Sequence, residues 1–126
     1  MAHAAVYSQE APDPIGPYSQ AVLAGNLLFV SGQIAIEKSS GNLITQDVAA
    51  ETRQVMNNIE SVLSAASMNF SNVVKCTIFL RHISDFPTVN EAYGQRFGDN
   101  PPARETVEVS RLPKDVNVEI SCIAVR

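Results

Sequence analysis

The sequence has few residues of the kinds that bind metal ions or form disulfide bonds. Its 126 residues include two cysteines, two histidines and no tryptophan. Cys76 and Cys122 fall on the apolar sides of their predicted strands, which predicts two buried free thiols that pack as small hydrophobic groups. The histidines, His3 and His82, belong to no Cys/His cluster, so we expect no metal site.

Positive charge and long apolar runs are also scarce. Nine Lys and Arg residues stand against 13 Asp and Glu, which gives a net charge of −4 without any basic run. Nucleic-acid binding depends on cations that contact phosphates, so no nucleic-acid partner is expected. No apolar stretch approaches the roughly 20 residues that cross a bilayer, and the N-terminus carries no charged-then-apolar signal. We therefore expect a cytoplasmic protein without a membrane partner.

The length and composition are typical of one globular domain. A chain of 126 residues, 45% hydrophobic and 17% charged, can bury one real core but not two. We predict a single domain over residues 1–126.

The N-terminal third predicts an irregular segment followed by a hairpin. Residues 1–17 contain three prolines and predict a rigid lead-in without regular structure. Alternating residues then predict strands at 21–24 and 27–33, with Gly25-Asn26 as a tight turn. Within the second strand, Gly32 allows close approach of a neighbouring chain or a ligand, although plain packing would explain it equally well.

The middle of the chain predicts a helix, a strand and a second helix. Apolar residues recur at helical spacing from about Asp47 to Ser67, where Thr45 or Asp47 can cap the helix. Period two returns at 73–81 and predicts a strand. A second helix begins at Ser84-Asp85, with Pro87 in its first turn, and ends at Gly98.

The C-terminal part predicts two strands that carry a cation and a carboxylate. Pro101-Pro102 keeps the chain extended, and Arg104 then opens an alternating run whose polar positions include Thr106. A second run, from Val116 to Val125, has Glu119 on its polar side. Because Leu-Pro-Lys-Asp between the runs is short and turn-like, we predict a hairpin that brings Arg104 and Glu119 onto one sheet surface.

The order strand, strand, helix, strand, helix, strand, strand predicts an α+β fold. Two helices with one apolar stripe each can cover only one face of the sheet. The other face would be semi-polar, with apolar residues among polar ones: Phe29, Phe79 and Ile123 among Arg104, Thr106, Glu119 and Ser121. Such a face favours symmetric self-association, with Arg104 and Glu119 in a cleft between subunits.

The sequence resembles the reactive intermediate deaminase A family of enamine/imine deaminases, also called the YjgF family, over essentially its whole length. Each matching motif is weak alone, but together they are highly specific. The matches are Gly16-Pro17-Tyr18-Ser19-Gln20-Ala21, Phe29-Val30-Ser31-Gly32-Gln33-Ile34, Val74 to Leu80, Asp85-Phe86, Val89-Asn90-Glu91-Ala92-Tyr93, Pro102-Ala103-Arg104 through Val107, Ser110 to Leu112, and Val118-Glu119-Ile120.

The resemblance implies a fold, an assembly and a reaction. It implies a chorismate-mutase-like sheet with two helices on one face, and a homotrimer with active sites at the subunit interfaces. Members of the family hydrolyse 2-aminoacrylate, 2-aminocrotonate and their imine tautomers to 2-keto acids and ammonia, and need no cofactor. The implied enzyme is a 2-iminobutanoate/2-iminopropanoate deaminase.

The resemblance also implies roles for seven residues. Arg104 would bind the substrate carboxylate through the planar fork of its guanidinium group, and Glu119 would position or deprotonate the attacking water. The remaining five would contact the substrate or line its pocket: Tyr18, Ser31, Gly32, Asn90 and Thr106. Thr106 stands where the family often has cysteine, and Glu105 stands where it usually has a small residue.

Simpler roles and other functions remain open at this stage. Arg104 and Glu119 could form a structural salt bridge, and Tyr18 could be only an interface aromatic. The fold could also serve as a regulatory trimer that binds small carboxylates without turnover. A third alternative is a translation inhibitor or endoribonuclease, which the net charge of −4 disfavours.

Overall fold

The computed structural model describes residues 2–126, so Met1, part of the predicted lead-in, lies outside it. Its six strands form one mixed sheet in the order β1-β2-β3-β6-β4-β5. All neighbours are antiparallel except β4 and β5, which are parallel. The strands are β1 (Ala4–Val6), β2 (Ala21–Ala24), β3 (Leu27–Gln33), β4 (Val73–Leu80), β5 (Ala103–Glu108) and β6 (Val118–Val125).

Both predicted helices are present. Helix α1 spans Val48–Ala65, and the Asp47 carboxylate caps it by accepting a 2.7 Å hydrogen bond from the amide of Ala50. Helix α2 spans Phe86–Gly94 and has proline in its first turn, but it ends four residues before the predicted stop at Gly98. Neither α1 nor any other helix within residues 2–126 combines the length and the hydrophobicity that a membrane-spanning segment needs.

The helices and one face of the sheet enclose the core, as the alternation in the strands predicts. Each central strand gives its alternate apolar residues to this face, and α1 packs its apolar stripe against them. The fully buried side chains include Leu28, Val55, Ile59, Leu63, Ile78, Leu80 and Ile120. The domain therefore has two layers, a sheet and a pair of helices, and the other face of the sheet is uncovered in the monomer.

Part of the lead-in was predicted wrongly. Ala4–Val6 form the edge strand β1, which pairs antiparallel with β2. The three residues lie before the prolines, and only Val6 favours a strand, since alanine is depleted in strands, so their propensity gives little signal. Three residues are too few to show the alternation of apolar and polar side chains by which a strand is recognised in a sequence.

The predicted hairpin of the last two strands is also wrong. β4 lies between β5 and β6, with Leu80 in register with Glu108 on one side and with Val118 on the other. The amide of Val109 bonds the carbonyl oxygen of Leu80, and the connection then passes over the end of β4. Residues 109–117 are long enough to cross one strand, so the Leu-Pro-Lys-Asp motif is only part of the connection.

This topology reverses the predicted orientation of Arg104 and Thr106. Arg104 is in register with buried Cys76 and therefore lies on the helix side of the sheet. Glu119 is in register with Phe79 and lies on the open face, as predicted. On the edge strand β5 the polar row faces the flank of α2, while Val107 is 41% exposed on the open face. The polarity rule that holds for central strands thus fails at this edge.

Candidate active site

A β-bulge in β3 lies next to Glu119. Val30 is in register with Cys122 and Gln33 with Ile120, so Ser31 and Gly32 together face one residue of β6. Such bulges redirect side chains and are frequent beside functional sites. Here the bulge brings the backbone of Gly32 towards the carboxylate of Glu119.

Gly32 gives Glu119 the space that it occupies. A Cβ atom on Gly32 would lie 2.0 Å from Oε2 and 2.8 Å from Cδ of Glu119. The close approach predicted at this glycine is therefore made by a side chain of the same molecule. Glycine at position 32 is what allows Glu119 to take up this position.

The Glu119 carboxylate is half-buried and has no charged partner. Within residues 2–126 it forms no ion pair and accepts no hydrogen bond. Burial raises the pKa of Glu119 above its ordinary value of 4.5. A desolvated carboxylate without a partner is a good proton acceptor, and it is typical of a functional site rather than of a structural salt bridge.

Glu119 lines a cavity of about 560 Å³ on the open face. Four of the predicted site residues meet there: Tyr18, Ser31, Gly32 and Glu119. The Ser31 hydroxyl donates a 2.6 Å hydrogen bond to the carbonyl oxygen of Ser19, so its oxygen is left to accept from a ligand or water. Tyr18 is 50% exposed at the rim of the cavity.

Two buried amides hold the other walls of this cavity. Gln20 is 2% exposed and bonds the backbone of Ser8, Ala11 and Pro12, which fixes the N-terminal wall. Asn58 of α1 donates 3.0 Å bonds to the carbonyl oxygens of Ile34 and Ile36. Because buried polar groups need partners, these bonds fix the loops with little freedom.

The prediction missed one cation at this cavity. Lys114 lines it next to Pro113, in a turn where Lys114 and Asp115 have φ angles of 55° and 57°. Two consecutive non-glycine residues in this region are uncommon and strained. Arg111 bonds Asp115 across the turn at 2.8 Å. The Leu-Pro-Lys-Asp motif marks the turn, but nothing in the sequence shows that it borders the cavity.

Arg104 is held firmly on the opposite, helix-facing side of the sheet. Its Cζ lies 5.4 Å from the ring centre of Phe86 and 5.1 Å from that of Tyr93, both on α2. Its Nη1 donates a 2.7 Å hydrogen bond to Oδ1 of Asn90. The predicted pair Arg104 and Asn90 is therefore in contact, and the guanidinium keeps further donors for a ligand.

Thr106 lies beside Arg104 and has an unused hydroxyl group. In the described part of the chain, its Oγ1 is buried without a hydrogen-bond partner. Together with Ile83, Phe86 and Arg104 it lines a small cavity of about 300 Å³. An orphaned polar atom next to a fixed guanidinium is where a polar ligand group would be bound.

The two cysteines are buried free thiols, as predicted. Cys76 is 2% exposed and Cys122 is 4% exposed, and the two are in register on neighbouring strands. Burial raises the pKa of both thiols. Neither is therefore suited to act as a nucleophile.

Glu105 has a structural partner on the open face. Its carboxylate lies 3.1 Å from Nζ of Lys75 and accepts a 2.5 Å hydrogen bond from the hydroxyl of Thr77. These two partners lower the pKa of Glu105. The residue that departs from the family pattern thus neutralises a neighbouring lysine and points away from Arg104.

The predicted site residues therefore form two groups in one chain. Tyr18, Ser31, Gly32 and Glu119 border the cavity on the open face, and Asn90, Arg104 and Thr106 lie on the helix side. The predicted juxtaposition of Arg104 and Glu119 does not occur within a single chain. It depended on the hairpin that β4 interrupts.

Comparison with known proteins gives the family. The family model described as Endoribonuclease L-PSP matches residues 8–126. The human protein named 2-iminobutanoate/2-iminopropanoate deaminase is 46% identical over 121 residues, which cover 96% of this chain and 88% of that protein. The chain therefore belongs to the Endoribonuclease L-PSP family, the group of the YjgF, RutC and Rid proteins that its sequence resembles.

Solved structures match the fold closely. A putative endoribonuclease from Thermotoga maritima superposes with a TM-score of 0.95 at 43% identity, covering 98% of this chain and 97% of that one. E. coli TdcF, solved with bound serine, has a TM-score of 0.93 at 39% identity and 98% coverage of each chain. The likeness in fold extends over nearly the whole chain.

Proposed function

We propose that this protein hydrolyses 2-imino acids and their 2-enamine tautomers, such as 2-aminoacrylate and 2-aminocrotonate, to 2-keto acids and ammonia in the cytoplasm. The observation that carries the proposal is the half-buried carboxylate of Glu119, unpaired in the described residues and set against the Gly32 bulge in a 560 Å³ cavity. A carboxylate with a raised pKa can accept a proton from water at neutral pH.

Arg104 supplies the recognition of the substrate carboxylate. Phe86, Tyr93 and Asn90 already fix its guanidinium before any ligand binds. Preorganised donors bind an anion with little further loss of entropy, and a guanidinium offers two parallel donors to a carboxylate. Thr106 adds a hydroxyl group beside it.

The active site is completed between subunits. Within one chain Arg104 and Glu119 lie on opposite sides of the sheet, so a single substrate contacts both only if they come from two copies. The open face carries exposed apolar side chains, Phe29 at 43% and Val107 at 41%, which favour self-association. We propose the homotrimer of the family as the assembly, with Glu119 of one subunit facing Arg104 of the next.

The reaction needs only water and proton transfers. Glu119 accepts a proton from water as the water oxygen bonds to the imine carbon, and it then gives this proton to the nitrogen, which leaves a neutral carbinolamine and an ionised Glu119. Glu119 next transfers the proton of the carbinolamine hydroxyl to the nitrogen, so the C=O bond forms as the C–N bond breaks and ammonia leaves. Because an imine is already electrophilic, orientation and one positioned base supply most of what the step requires.

The names of similar proteins support this proposal. Human and bovine proteins at 46% identity are both named 2-iminobutanoate/2-iminopropanoate deaminase. TdcF was solved with serine, an amino acid whose carboxylate resembles that of the proposed substrate. The bound serine of TdcF also favours a second candidate function, a trimer that binds small carboxylates without turnover.

An endoribonuclease is the weaker alternative, although the family description contains that word. The net charge of −4 opposes binding to a phosphate backbone. If RNA is retained on a filter in low salt and released in proportion to salt, this alternative gains support.

The test follows the disappearance of an imine generated in place. An amino-acid oxidase produces 2-iminobutyrate or 2-iminopropionate, and semicarbazide traps whatever remains. Acceleration by the wild type that is lost in Arg104→Ala supports the deaminase. No acceleration, with keto acids still bound in an Arg104-dependent way, would leave only carboxylate binding.

A further inference from the structure

The first turn of α1 contains a fully buried carboxylate that has no part in the candidate site. Glu51 is 0% exposed. Its Oε2 accepts hydrogen bonds from the backbone amides of Asn117 at 2.7 Å and Val118 at 3.2 Å, and its Oε1 accepts from Nδ2 of Asn117 at 2.8 Å. Three donors thus converge on one side chain from a segment 66 and 67 positions away in sequence.

Such a carboxylate is costly to bury unless it is well bonded, so its partners indicate what it fixes. Both backbone partners lie directly before Glu119, where the chain leaves the strained turn at Lys114 and Asp115 and enters β6. The amide of Arg81 bonds the carbonyl oxygen of Asn117 from the other side, at 3.0 Å. The start of β6 is therefore held between α1 and the end of β4.

We propose that Glu51 is a positioning residue for Glu119: by binding the amides of residues 117 and 118, it fixes the start of β6 so that the Glu119 carboxylate stays over Gly32. The geometry supports this, because the Glu119 carboxylate lies in the space that a Cβ of residue 32 would occupy, directly against the backbone of Gly32. Cavity walls formed by other elements depend on Gln20 and Asn58 instead.

The catalytic importance of this positioning rests on the proposed function, but the positioning itself can be measured through the pKa of Glu119. The probe is the pKa of the Glu119 carboxyl group, read by carbon-13 NMR titration of the assembled protein and assigned by its absence in Glu119→Gln. The other titratable groups that border the cavity are Asp13, Tyr18 and Lys114, and they are the same in every variant. If β6 shifts and the carboxylate becomes more exposed, its raised pKa falls towards 4.5.

Two variants and one control distinguish a change in the position of Glu119 from the loss of the Glu51 charge and from non-specific destabilisation of α1. Glu51→Gln removes the charge and puts an NH₂ group against donors. Asn117→Ala removes only the 2.8 Å side-chain bond and keeps the Glu51 charge. Thr52→Val is the control, since Thr52 is also fully buried in the same turn but bonds only the carbonyl oxygen of Val48 within α1.

We expect the Glu119 pKa to fall in Glu51→Gln, to fall less in Asn117→Ala, and to stay at the wild-type value in Thr52→Val. In the imine assay kcat should fall about tenfold to a hundredfold in Glu51→Gln, with KM within about twofold, because a misplaced base slows the chemical step.

Four results would overturn the proposal. Three concern the Glu119 pKa: a wild-type value in folded Glu51→Gln, a lowered value in Glu51→Gln but not in Asn117→Ala, or an equally lowered value in Thr52→Val. The fourth is a wild-type kcat in Glu51→Gln although the Glu119 pKa is shifted. If Glu51→Gln does not fold, Asn117→Ala decides alone. A wild type without imine hydrolysis would refute the proposed function, while the titration still reports whether Glu51 fixes Glu119.

Discussion

The carboxylate of Glu119 occupies the space that a side chain at position 32 would need, since a Cβ on Gly32 would lie 2.0 Å from its Oε2. The contact joins a bulged residue of β3 to a residue of β6. The base of the proposed reaction and the glycine beside it therefore form one structural unit. A change at either residue should be felt at the other.

Gly32→Ala should fold but lose most of its activity. The added methyl group meets the end of a flexible side chain, so the Glu119 carboxylate is displaced while the backbone can stay. We expect kcat to fall about a hundredfold, the cost of moving a catalytic group by about 1 Å, in the semicarbazide assay.

The matched test is the double variant Gly32→Ala/Glu119→Asp. A shorter acid relieves the clash, so its Tm should exceed that of Gly32→Ala. If Gly32→Ala has wild-type kcat and Tm, the contact has no functional meaning.

Glu119→Gln should separate activity from stability. Loss of the base is expected to lower kcat by a factor of about 10² or more. Because burial raises the pKa of Glu119 in the folded state, the folded protein binds a proton more readily than the unfolded chain. The stability from this proton is present at low pH and is lost as pH rises through the folded pKa, so ionised Glu119 is destabilising at pH 7.

We therefore expect the Tm of Glu119→Gln to exceed that of the wild type at pH 7 and to match it near pH 4. Glu60→Gln is the control, on the exposed side of α1 where Glu60 pairs with Arg96. A lower Tm for Glu119→Gln at pH 7 would contradict this expectation and would mean that a cation such as Arg104 of the neighbouring subunit stabilises the ionised carboxylate more than burial destabilises it.

The pH dependence of kcat/KM should show an acidic limb set by Glu119. Water can lose its proton only to the ionised carboxylate, so activity should fall as pH drops through a pKa above 4.5. Stopped assays between pH 4 and 8 would measure this limb. A limb at or below 4.5 would mean that solvent or a cation, such as Arg104 of the neighbouring subunit, outweighs the effect of burial on Glu119 in the assembly.

The Arg104→Lys variant should bind substrate poorly although the substitution keeps the positive charge. Lysine cannot reproduce the two-donor fork or the stacking between Phe86 and Tyr93. We expect KM for the imine to rise about tenfold or more, the effect of losing one charge-assisted hydrogen bond. Direct titration with a 2-keto acid gives the same comparison without turnover, and wild-type affinity in Arg104→Lys would refute the assigned role.

The sequence predicts the helices, the first hairpin and the apolar face of each central strand, because each of these depends on a local period. It does not predict β1, which is too short to show a period, or the parallel pairing of β5 with β4, which depends on contacts far apart in the chain. The orientation of Arg104 was wrong for the same reason, since the polar row of an edge strand faces the flank of a helix rather than the open face.

The site is predicted less completely than the fold. The family motifs predict Glu119 and Arg104 as site residues, and glycine at position 32 already indicates a close approach. No local pattern indicates that Lys114 borders the cavity or that Glu51 bonds the backbone before Glu119. Both depend on how the connection after β5 folds over the end of β4.

The most direct test of the central claim, that each active site combines Glu119 of one subunit with Arg104 of another, is subunit mixing. Arg104→Ala and Glu119→Gln are each expected to be inactive alone. After the two are unfolded and refolded together in equal amounts, a site with both residues intact forms at about one in four interfaces. The account predicts recovery of about a quarter of wild-type activity in the mixture. No recovery, with mixed assemblies verified by mass spectrometry, would contradict it.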